Sequence, residues 1–522
     1  MIKQKTILVL ILYIISVTEI STQVFEGYTL YSTYNNIQNS SILISNNEDV
    51  IQAWVHENSP ASMPYLIPDS SIIYPYRVPN PSMIAPGVGG GIQRIDWNGT
   101  IIWDYLFSDS LYQHHHDIEI LPNGNVLILV WERKSDIEAY SVGRQTIESV
   151  LNEMWVPAIL ELEPETGYIV WEWHIWDHII QDVDPSLANY GIVSNHPELI
   201  DINYGVIGDG DANADWMHVN SIDYNSELDQ IVISSRNMNE FYIIDHSTST
   251  EEAENHSGGL YNKGGDFLYR WGNPEVYNRG NQEDKRLYNQ HDVNWIEGDY
   301  PGYGSLILFN NGQGRPDGNY SSIDVITPVI EENGNYFIST DSAFPPQEPS
   351  WTFSDNENYF SSRQSGAQRL PNGNTLITVA YTKRIFEVNL EGIIVWDFIL
   401  NDNSIAIPRA RKYGTDYFNN NLNKYNEKPR LEFKLIQNHP NPFNPVTSIQ
   451  YELPENAFVN IRIYDLKGRL VNTLVSKEQT AGYKAIKWAG VDDKGQPVSA
   501  GIYLYEIQAG NFRDTKKMVL LK

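Results

Sequence analysis

The sequence predicts an all-β protein, a six-bladed β-propeller followed by a small Ig-like β-sandwich. Three observations support this fold class. Hairpin motifs recur along the chain, aromatic residues make up 12% of it with 14 Trp and 33 Tyr, and helical periodicity is nearly absent. A short helix is expected only near Arg144 to Glu153. At 522 residues the chain exceeds one ordinary core, so a second domain is expected.

The first repeated motif is a strand, an Asn-Gly turn and a return strand. Leu121-Pro-Asn-Gly-Asn125 precedes the apolar run Val126 to Val130, and Leu370-Pro-Asn-Gly-Asn374 precedes Thr375 to Val379. An Asn-Gly pair between two apolar runs is a strong hairpin signal because both residues accept positive φ angles. Each copy therefore predicts one hairpin.

The second repeated motif is a strand, a Gly turn and a strand that ends in Trp. Two such hairpins in series form a four-stranded antiparallel sheet, and sheets repeated every 40 to 60 residues or so indicate a β-propeller. Five or six blades fit between Gly27 and Leu400. The tryptophans of this motif are interpreted as packing residues of the blades: Trp103, Trp171, Trp271 and Trp396. A weaker first copy of the motif ends in Trp54.

The chain divides into four predicted segments. Lys3 and Lys5 precede the apolar run Ile7 to Val17, which is too short to span a bilayer and reads as a secretory signal peptide over residues 1–22. The propeller is assigned to residues 23–412, a polar Asn-rich linker to residues 413–433 and the second domain to residues 434–522.

Composition excludes several classes of function. The net charge of −30 makes nucleic acid an unfavourable partner, and an anionic substrate would need a local basic site. The absence of cysteine excludes disulfides, thiolate catalysis and Cys-ligated zinc. Nothing in the composition decides between a monomer and a homo-oligomer.

Three short segments each place a histidine at the head of an apolar, strand-like run. They are His116-Asp117-Ile118, His218-Val219-Asn220 and His291-Asp292-Val293. A repeat fold points equivalent positions of successive units at a common axis, so we expect these histidines to converge. A lone histidine at a strand end is usually structural, but three at equivalent positions together with Arg236 favour a site.

The second domain shows the alternation of short strands. Asn438-His-Pro-Asn-Pro-Phe-Asn-Pro445 leads into Ser448 to Pro454, Val459 to Gly468 and Ala500 to Glu506, and the chain ends in Lys516 to Lys522. These motifs resemble the C-terminal sorting domain of proteins exported by the type IX (Por) secretion system. The resemblance implies the type IX machinery as a partner. It also implies secretion or surface attachment, through the periplasm and the outer membrane.

The propeller segment is similar to the bacterial arylsulfate sulfotransferase family. Seven motifs carry this similarity: Gly27 to Tyr31, His115-His-Asp-Ile118, Asp215-Trp-Met-His-Val-Asn-Ser221, Ser234-Ser-Arg-Asn237, Gln290-His-Asp-Val293, Leu308-Phe-Asn-Asn-Gly312 and Ser365 to Pro371. The resemblance implies a six-bladed propeller. It also implies transfer of a sulfuryl group from an aryl sulfate donor to a phenolic acceptor, without a nucleotide sulfate donor or any cofactor.

The resemblance also implies roles for individual residues. His291 matches the family's nucleophilic histidine, and His218, Arg236 and His116 match residues that hold sulfuryl oxygens. Substrate binding falls to Asn220 and His115. His114 and His115 are the weaker candidates, because adjacent residues on a strand face opposite ways.

The chemistry of these residue types fits independently. A transferring sulfuryl group resembles a phosphoryl group, with negative charge on its nonbridging oxygens, so fixed cationic donors stabilise it. A neutral imidazole can attack sulfur to give a sulfurylated histidine that a phenol later discharges. One histidine would pass a proton to the leaving phenolate.

Two weaker signals and two alternative functions stay open. Asp209 to Asp215 alternates oxygen ligands like a calcium loop, but Asn220 stands where an EF-hand has its bidentate Glu, and no metal ligand is assigned. Gly87 to Gly91 reads as a flexible connection.

A sulfatase-like hydrolase would use the same residues with water as the acceptor. A noncatalytic propeller binding glycans or partners on the surface predicts that the histidines do not converge.

Overall fold

A computed structural model describes most of the chain outside its N-terminus and interdomain region. The described residues are 23–35, 38–208, 213–298, 300–331, 333–355, 359–418, 433–435, 438, 441–454, 456–479 and 482–521. The predicted signal peptide and most of the predicted linker lie outside them. Within the described ranges, no helix has the length and apolarity needed to cross a membrane.

Residues 27–414 form six four-stranded antiparallel sheets, each a propeller blade. Strands are given from the innermost outward. Blade 1 contains β26 (Ala410–Gly414), β1 (Gly27–Tyr34), β2 (Asn39–Ser45) and β3 (Val50–His56). Blade 2 contains β4 (Tyr65–Leu66), β5 (Ile72–Arg77), β6 (Gly90–Ile95) and β7 (Ile101–Leu106). Blade 3 contains β8 (Tyr112–Ile120), β9 (Val126–Ser135), β10 (Glu153–Glu163) and β11 (Tyr168–His174).

The remaining three blades repeat this order. Blade 4 contains β14 (Val219–Asn225), β15 (Gln230–Ser235), β16 (Glu240–Asp245) and β17 (Tyr269–Trp271). Blade 5 contains β18 (His291–Trp295), β19 (Leu306–Asn310), β20 (Ser322–Ile326) and β21 (Trp351–Phe353). Blade 6 contains β22 (Gly366–Arg369), β23 (Thr375–Val379), β24 (Arg384–Val388) and β25 (Ile394–Ile399). The predicted all-β class and six-bladed propeller are confirmed.

The ring closes by pairing the last strand of the propeller with the first. In blade 1, β26 pairs antiparallel with β1, with Gly27 opposite Gly414 and Tyr31 opposite Ala410. The closing strand lies beyond Leu400, outside the repeated hairpins, and crosses the boundary expected at residue 412. Closure of this kind leaves no open sheet edge between the first and last blades.

The core consists of six apolar clusters, each shared by two consecutive blades. Each buried Leu, Ile or Phe side chain contributes about 1.5–3 kcal/mol when it leaves water. The six clusters follow one another around the ring, from the interface of blades 1 and 2 to that of blades 6 and 1. In this order, each includes one residue from either blade: Leu43 and Ile72, Ile73 and Ile128, Leu129 and Ile231, Phe241 and Leu308, Phe309 and Phe386, and Leu376 and Tyr31.

The outermost strands carry the tryptophans that the hairpin motif predicts. Several indole Nε1–H groups donate to a backbone carbonyl of the next blade: Trp54 to Asp96 at 2.9 Å, Trp271 to Pro346 at 2.6 Å and Trp396 to Asn46 at 2.8 Å. Trp351, on β21, donates to Leu390 at 3.3 Å and was not predicted. These residues therefore both fill the space between blades and link them through hydrogen bonds.

The helices are short and lie in connections. They are α1 (Asp136–Ser141), α2 (Thr250–Ala253) and the 3-10 turns Ile175–His178, Val193–Asn195 and Pro274–Tyr277. The helix expected over Arg144 to Glu153 was wrong, since α1 ends before it. Ser135 begins α1 with a capping box completed by Glu138, a Ser-x-x-Glu signal that marks the true start. A two-stranded parallel pair, β12 (Ile179–Ile180) and β13 (Ile200–Asp201), follows blade 3.

The second domain is a seven-stranded sandwich. One sheet contains β27 (Lys434–Leu435), β28 (Thr447–Leu453) and β31 (Gly482–Trp488). The other contains β30 (Leu470–Gln479), β29 (Ala457–Asp465), β32 (Gly501–Ala509) and β33 (Phe512–Leu520). Ile461, Tyr505 and Trp488 lie in its own apolar core, as expected for an Ig-like domain.

Candidate active site

All six blades contribute to one cavity at one end of the propeller channel. The cavity has a volume of about 330 Å³. The chain reaches it at or just before the start of most innermost strands and at the bulge in β8, and the lining includes, from blades 2 to 6 and back to blade 1, Ser62, His116, His218 with Asn220, His291, Ser365 and Arg409. Equivalent positions of the blades therefore meet at the axis, as the repeated histidine motif predicts.

Backbone irregularities turn the histidine-bearing positions toward the cavity. His116, His218 and Asp292 have positive φ angles of 52°, 50° and 58°, which cost a residue with a side chain about 1–3 kcal/mol. The pairing of β8, β14 and β18 with the neighbouring strand shifts register at these same places. A bulge inserts extra residues on one strand and re-aims a side chain. The strain therefore positions functional groups.

His291 is held with one ring nitrogen available. Its Nδ1 lies 2.8 Å from the amide oxygen of Asn311 and 3.0 Å from the carbonyl oxygen of Asn289, and both of these atoms only accept. Nδ1 therefore carries the proton, and Nε2 keeps its lone pair. Burial, reinforced by nearby His218 and Arg236, lowers the pKa of His291 to about 3. The imidazole is therefore neutral near pH 7, as a nucleophile must be.

The orientation of the Asn311 amide is itself fixed. Its Nδ2 donates to the carbonyl oxygens of Ser361, at 2.7 Å, and Gln364, at 3.0 Å. The amide oxygen must then face His291, because only the nitrogen can donate to two carbonyls. Asn311 thus sets the tautomer of His291.

His218 forms a buried pair with Asp215. The carboxylate Oδ2 of Asp215 accepts from His218 Nδ1 at 2.6 Å, and its Oδ1 accepts from the backbone N–H of His218 and from the indole of Trp131, each at 3.1 Å. A carboxylate on Nδ1 orients the ring and leaves Nε2 as the nitrogen that can give or take a proton. Asp209 to Ala212 of the segment that resembles a calcium loop, to which no metal was assigned, lie outside the described residues.

His116 lines the cavity beside His218, with ring centroids 4.7 Å apart. Burial and repulsion from His218 hold the pKa of His116 well below its ordinary value. Its Nδ1 lies 2.9 Å from Nδ1 of His115. His115 is fully buried, stacks on Trp131 and does not line the cavity, so the structure does not bring it to the substrate space.

The glycine segment packs tightly against the histidines of β8. A Cβ on Gly87, whose φ is +83°, would lie 2.0 Å from Nε2 of His116, and a Cβ on Gly89 would lie 2.4 Å from Nδ1 of His114. The backbone N–H of Gly90 donates to His114 Nδ1 at 3.0 Å. The expectation of a flexible connection was wrong. These glycines are required by close approach to imidazole rings.

Arg236 and Asn220 complete the predicted set. Arg236 follows β15, and its backbone N–H donates to the carbonyl of His218 at 3.1 Å, which places its guanidinium on the cavity wall. Asn220 Nδ2 donates to the carbonyl of Gln290 at 2.7 Å. Its Oδ1 is buried and has no hydrogen-bond partner among the described residues, so it is an acceptor available to a ligand in the cavity it lines.

The cavity floor is a buried ionic network. Arg409 bonds to Asp117 and Asp292, and Arg411 binds Asp292 with two bonds of 2.8 and 2.6 Å. Burial would raise the pKa of Asp292, but these two guanidinium groups hold it below its ordinary value. Arg409 and Arg411 are thus neutralised by carboxylates. Arg236 and Arg363 also line the cavity, and Arg236 is tied to His218 through its backbone N–H.

Comparison with known protein families shows which family the chain belongs to. Residues 79–395, more than half of the chain, match the arylsulfotransferase (ASST) family model. The chain belongs to the arylsulfotransferase family. This membership indicates an enzyme of the sulfotransferase type. Residues 444–512 of this arylsulfotransferase match the FlgD Ig-like domain. No curated protein matches the chain.

Solved structures resemble this arylsulfotransferase only distantly. A protein of unknown function from Bacteroides caccae has 10% identity and a TM-score of 0.40, covering 74% of this chain and 98% of its own. Hydrazine synthase from Kuenenia stuttgartiensis has 11% identity and a TM-score of 0.33, covering 58% and 69%. FlgD from P. aeruginosa has 28% identity and a TM-score of 0.12, covering 14% and 58%. All three scores are too low to carry an argument.

The candidate site also contains residues that the sequence did not assign. Arg363 and Tyr381, which is 44% exposed, lie on the rim of the cavity. Asp215 and Asn311 support His218 and His291 from behind. Both occur inside quoted motifs, in Asp215-Trp-Met-His218 and in Asn310-Asn311-Gly312, so their proximity to a motif was the available signal. No repeat or spacing indicated Arg363, Tyr381 or Arg409.

Proposed function

We propose that the protein is a secreted aryl sulfate sulfotransferase that works through a sulfurylated His291, without a nucleotide sulfate donor. The observation that carries the proposal is the tautomer of His291. Its Nδ1–H is occupied by Asn311 and Asn289, which leaves a neutral Nε2 in a cavity shared with Arg236, His218 and His116. Family membership supports the reaction class.

In the first half-reaction, the Nε2 lone pair of His291 attacks the sulfur of the aryl sulfate. The nitrogen–sulfur bond forms as the bond from sulfur to the phenolic oxygen breaks. Arg236 and His116 hold the nonbridging oxygens, where negative charge accumulates. His218, protonated on Nε2 and stabilised by Asp215, gives its proton to the leaving phenolate.

In the second half-reaction, an acceptor phenol replaces the released product. His218, now neutral, takes the phenolic proton, and the acceptor oxygen attacks the sulfur and releases His291. The buried Oδ1 of Asn220 can accept from the acceptor hydroxyl before that proton moves. Tyr381 offers an aromatic surface at the rim for the ring of either phenol.

The two alternatives differ in what they require. A hydrolase would discharge the same sulfurylated histidine with water. A noncatalytic binding propeller requires no reactive tautomer, and the convergence of three histidines and an arginine on one cavity disfavours it. We retain the hydrolase as the second candidate, because the cavity is open to solvent along its rim of exposed Arg363 and Tyr381.

The test is incubation with a chromogenic aryl sulfate, with and without an added phenol. We expect phenol release to rise with acceptor concentration in a ping-pong pattern and to need no nucleotide. Release that does not respond to the acceptor would identify a hydrolase. No release from a panel of aryl sulfates would favour the binding propeller.

We also propose type IX export for this chain, with the second domain as the sorting signal and a secreted or cell-surface destination. The support is the tail motif sequence, together with an Ig-like domain that has its own core. Deleting all residues after Lys428 should leave an active propeller in vitro and block export in the native host. An inactive but folded truncation would show that the tail contributes to the site.

A further inference from the structure

A second cluster of ligating side chains lies between blades 3 and 4, at their outer part. His178, His256 and Asp266 each offer one ligand atom, and these atoms all lie within 4.8 Å of one another. None of the three lines the catalytic cavity. His178 and Asp266 are buried, whereas the side chain of His256 is 61% exposed. The cluster thus opens to solvent on one side.

Two separate segments build the cluster. His178 ends the 3-10 turn that follows β11, and its ring is parallel to that of Trp173, with centroids 5.8 Å apart. His256 and Asp266 belong to the connection between β16 and β17. Gly265 allows this connection to approach, since a Cβ there would lie 2.5 Å from Nε2 of His178. The packing therefore brings two distant stretches of chain to one point.

The hydrogen bonds of His178 determine which nitrogen is available. Its Nε2 lies 2.9 Å from the carbonyl oxygen of Ala253, which only accepts, so Nε2 carries a proton. Its Nδ1 faces Oδ1 of Asp266 at 2.7 Å, and Nδ1 of His256 faces the same oxygen at 2.8 Å. An outer N–H on a carbonyl is the contact that orients a metal-binding imidazole, and the two Nδ1 atoms converge on one carboxylate oxygen.

We propose that His178, His256 and Asp266 bind one zinc ion. Two imidazole nitrogens and one carboxylate favour zinc over calcium or magnesium, which prefer all-oxygen sites. Zinc with ligands at about 2.0–2.1 Å separates tetrahedral ligand atoms by about 3.3 Å. The two Nδ1 atoms lie 2.7 and 2.8 Å from Asp266 Oδ1, and all three atoms lie within 4.8 Å of one another. To admit the ion, each Nδ1–Oδ1 pair must therefore open by about 0.5 Å, and the two Nδ1 atoms must approach each other by at most about 1.5 Å. Water fills the fourth position on the exposed side of His256.

The role of this ion is to fasten the β16–β17 connection to the turn after β11. His178 and Asp266 are 88 residues apart in the chain, so the ion closes a long loop between two blades. The connection is also held by the short helix α2 with its capping box of Ser249 and Glu252, and by the indole N–H of Trp173, which donates to the carbonyl of Gly265 at 2.8 Å. We therefore expect zinc to stabilise this part of the propeller without entering the sulfuryl transfer.

The test measures zinc bound to untagged protein that has been stripped with a chelator and dialysed against Zn²⁺. The wild type is compared with His256→Ala, and with His196→Ala as a matched control. His196 is also exposed, at 45%, but pairs only with Glu198, at 2.9 Å. We expect His256→Ala to bind one equivalent less than the wild type, and His196→Ala to bind the same amount. Zinc should raise the Tm of the wild type and of the control, but not that of His256→Ala.

Comparing variants separates this site from zinc that the cavity histidines bind. Equal zinc content in the wild type and His256→Ala would overturn the proposal, as would equal losses in both variants or no bound zinc in the wild type. If His256→Ala does not fold by circular dichroism, His256→Gln replaces it, since the exposed position accepts a polar side chain. Sulfotransferase activity is not the readout, so this test is independent of the proposed reaction.

Discussion

The two ends of the propeller channel are formed by the same innermost strands but differ in chemistry. At one end, His116 of β8, His218 just before β14 and His291 at the start of β18 line the candidate active-site cavity. At the other end the same stretches of chain carry carboxylates, and these line a larger cavity of about 510 Å³: Glu119, Asp223 and Glu297. Cavity size alone would choose the wrong end. The residue types identify the end that suits an anionic sulfate ester.

Burial acts in opposite directions on the two sets of groups. It lowers the pKa of His291 to about 3, which keeps a neutral nucleophile. At the far end, burial and mutual repulsion raise the pKa of Glu119 and Asp223 well above ordinary values. Two of the cations there are paired, because Arg411 binds Asp292 and Lys412 binds Glu387 at 2.8 Å, whereas Arg369 donates to the carbonyl oxygen of Gly373 at 2.8 Å. The described residues that line the far end therefore include carboxyl groups but no histidine, which makes them a poor site for transfer of a sulfuryl group.

The largest expected effect comes from His291→Ala. Removing the nucleophile should stop both half-reactions and lower kcat/KM by on the order of 10⁴-fold. The matched control is Glu297→Gln, just past the other end of the same strand, which should change activity less than twofold. Steady-state kinetics on an aryl sulfate checks both variants, with circular dichroism to show that they fold. Comparable losses of activity in the two variants would show that the two ends of the channel do not differ in function.

Arg236→Ala should have the second largest effect. Losing the cation beside the histidines should cost about 3 kcal/mol of transition-state stabilisation, or on the order of a hundredfold in kcat/KM. Arg236→Lys should restore part of the loss, because charge returns without the bidentate geometry. Unchanged kinetics in Arg236→Ala would mean that another group carries the charge, and Arg363 on the rim would be examined next.

Asn311→Ala should have a moderate effect. Without the amide oxygen of Asn311, the carbonyl of Asn289 is left to hold the proton on Nδ1, so His291 adopts the other tautomer more readily. We therefore expect kcat to fall about tenfold while KM for the donor changes little. Asn311→Gln restores the amide group on a longer side chain, so it should recover only part of kcat. A change in KM alone, with kcat intact, would indicate that Asn311 shapes the pocket and does not set the tautomer.

The smallest effect is expected for Glu119→Gln at the far end. The folded-state pKa of Glu119 is raised, so its contribution to stability is present below its ordinary pKa and is lost as the pH rises through the folded value. The variant should be more stable at pH 8 by on the order of 1 kcal/mol, equal to the wild type at pH 4, and fully active. Chemical denaturation at the two pH values measures this. Equal stability at pH 8 would show that Glu119 is well solvated.

The sequence could predict the repeat and the residues that the repeat places on the axis. Hairpin motifs predicted five or six blades, the family resemblance implied six, and the equivalent positions of His116, His218 and His291 predicted their convergence. The closing strand Ala410–Gly414 could not be found this way, because it pairs with β1 across the whole propeller and belongs to no local hairpin.

Contacts that depend on three-dimensional packing could not be predicted from the sequence either. Gly87 looks like a loop residue in the sequence, and only the position of the His116 ring explains why it has no side chain. Arg409 reaches Asp117 and Asp292 from a different blade. His115 sits next to His116 in the chain, yet the bulge in β8 directs it onto Trp131 and away from the cavity.

The central claim is that His291 carries the sulfuryl group between donor and acceptor. The direct measurement is mass analysis of the protein after brief incubation with an aryl sulfate in the absence of acceptor, digested at neutral pH. We expect a mass increase of one SO₃ unit on the peptide containing His291, and its loss when phenol is added. A label on any other peptide, or a label that persists in His291→Ala, would contradict the account.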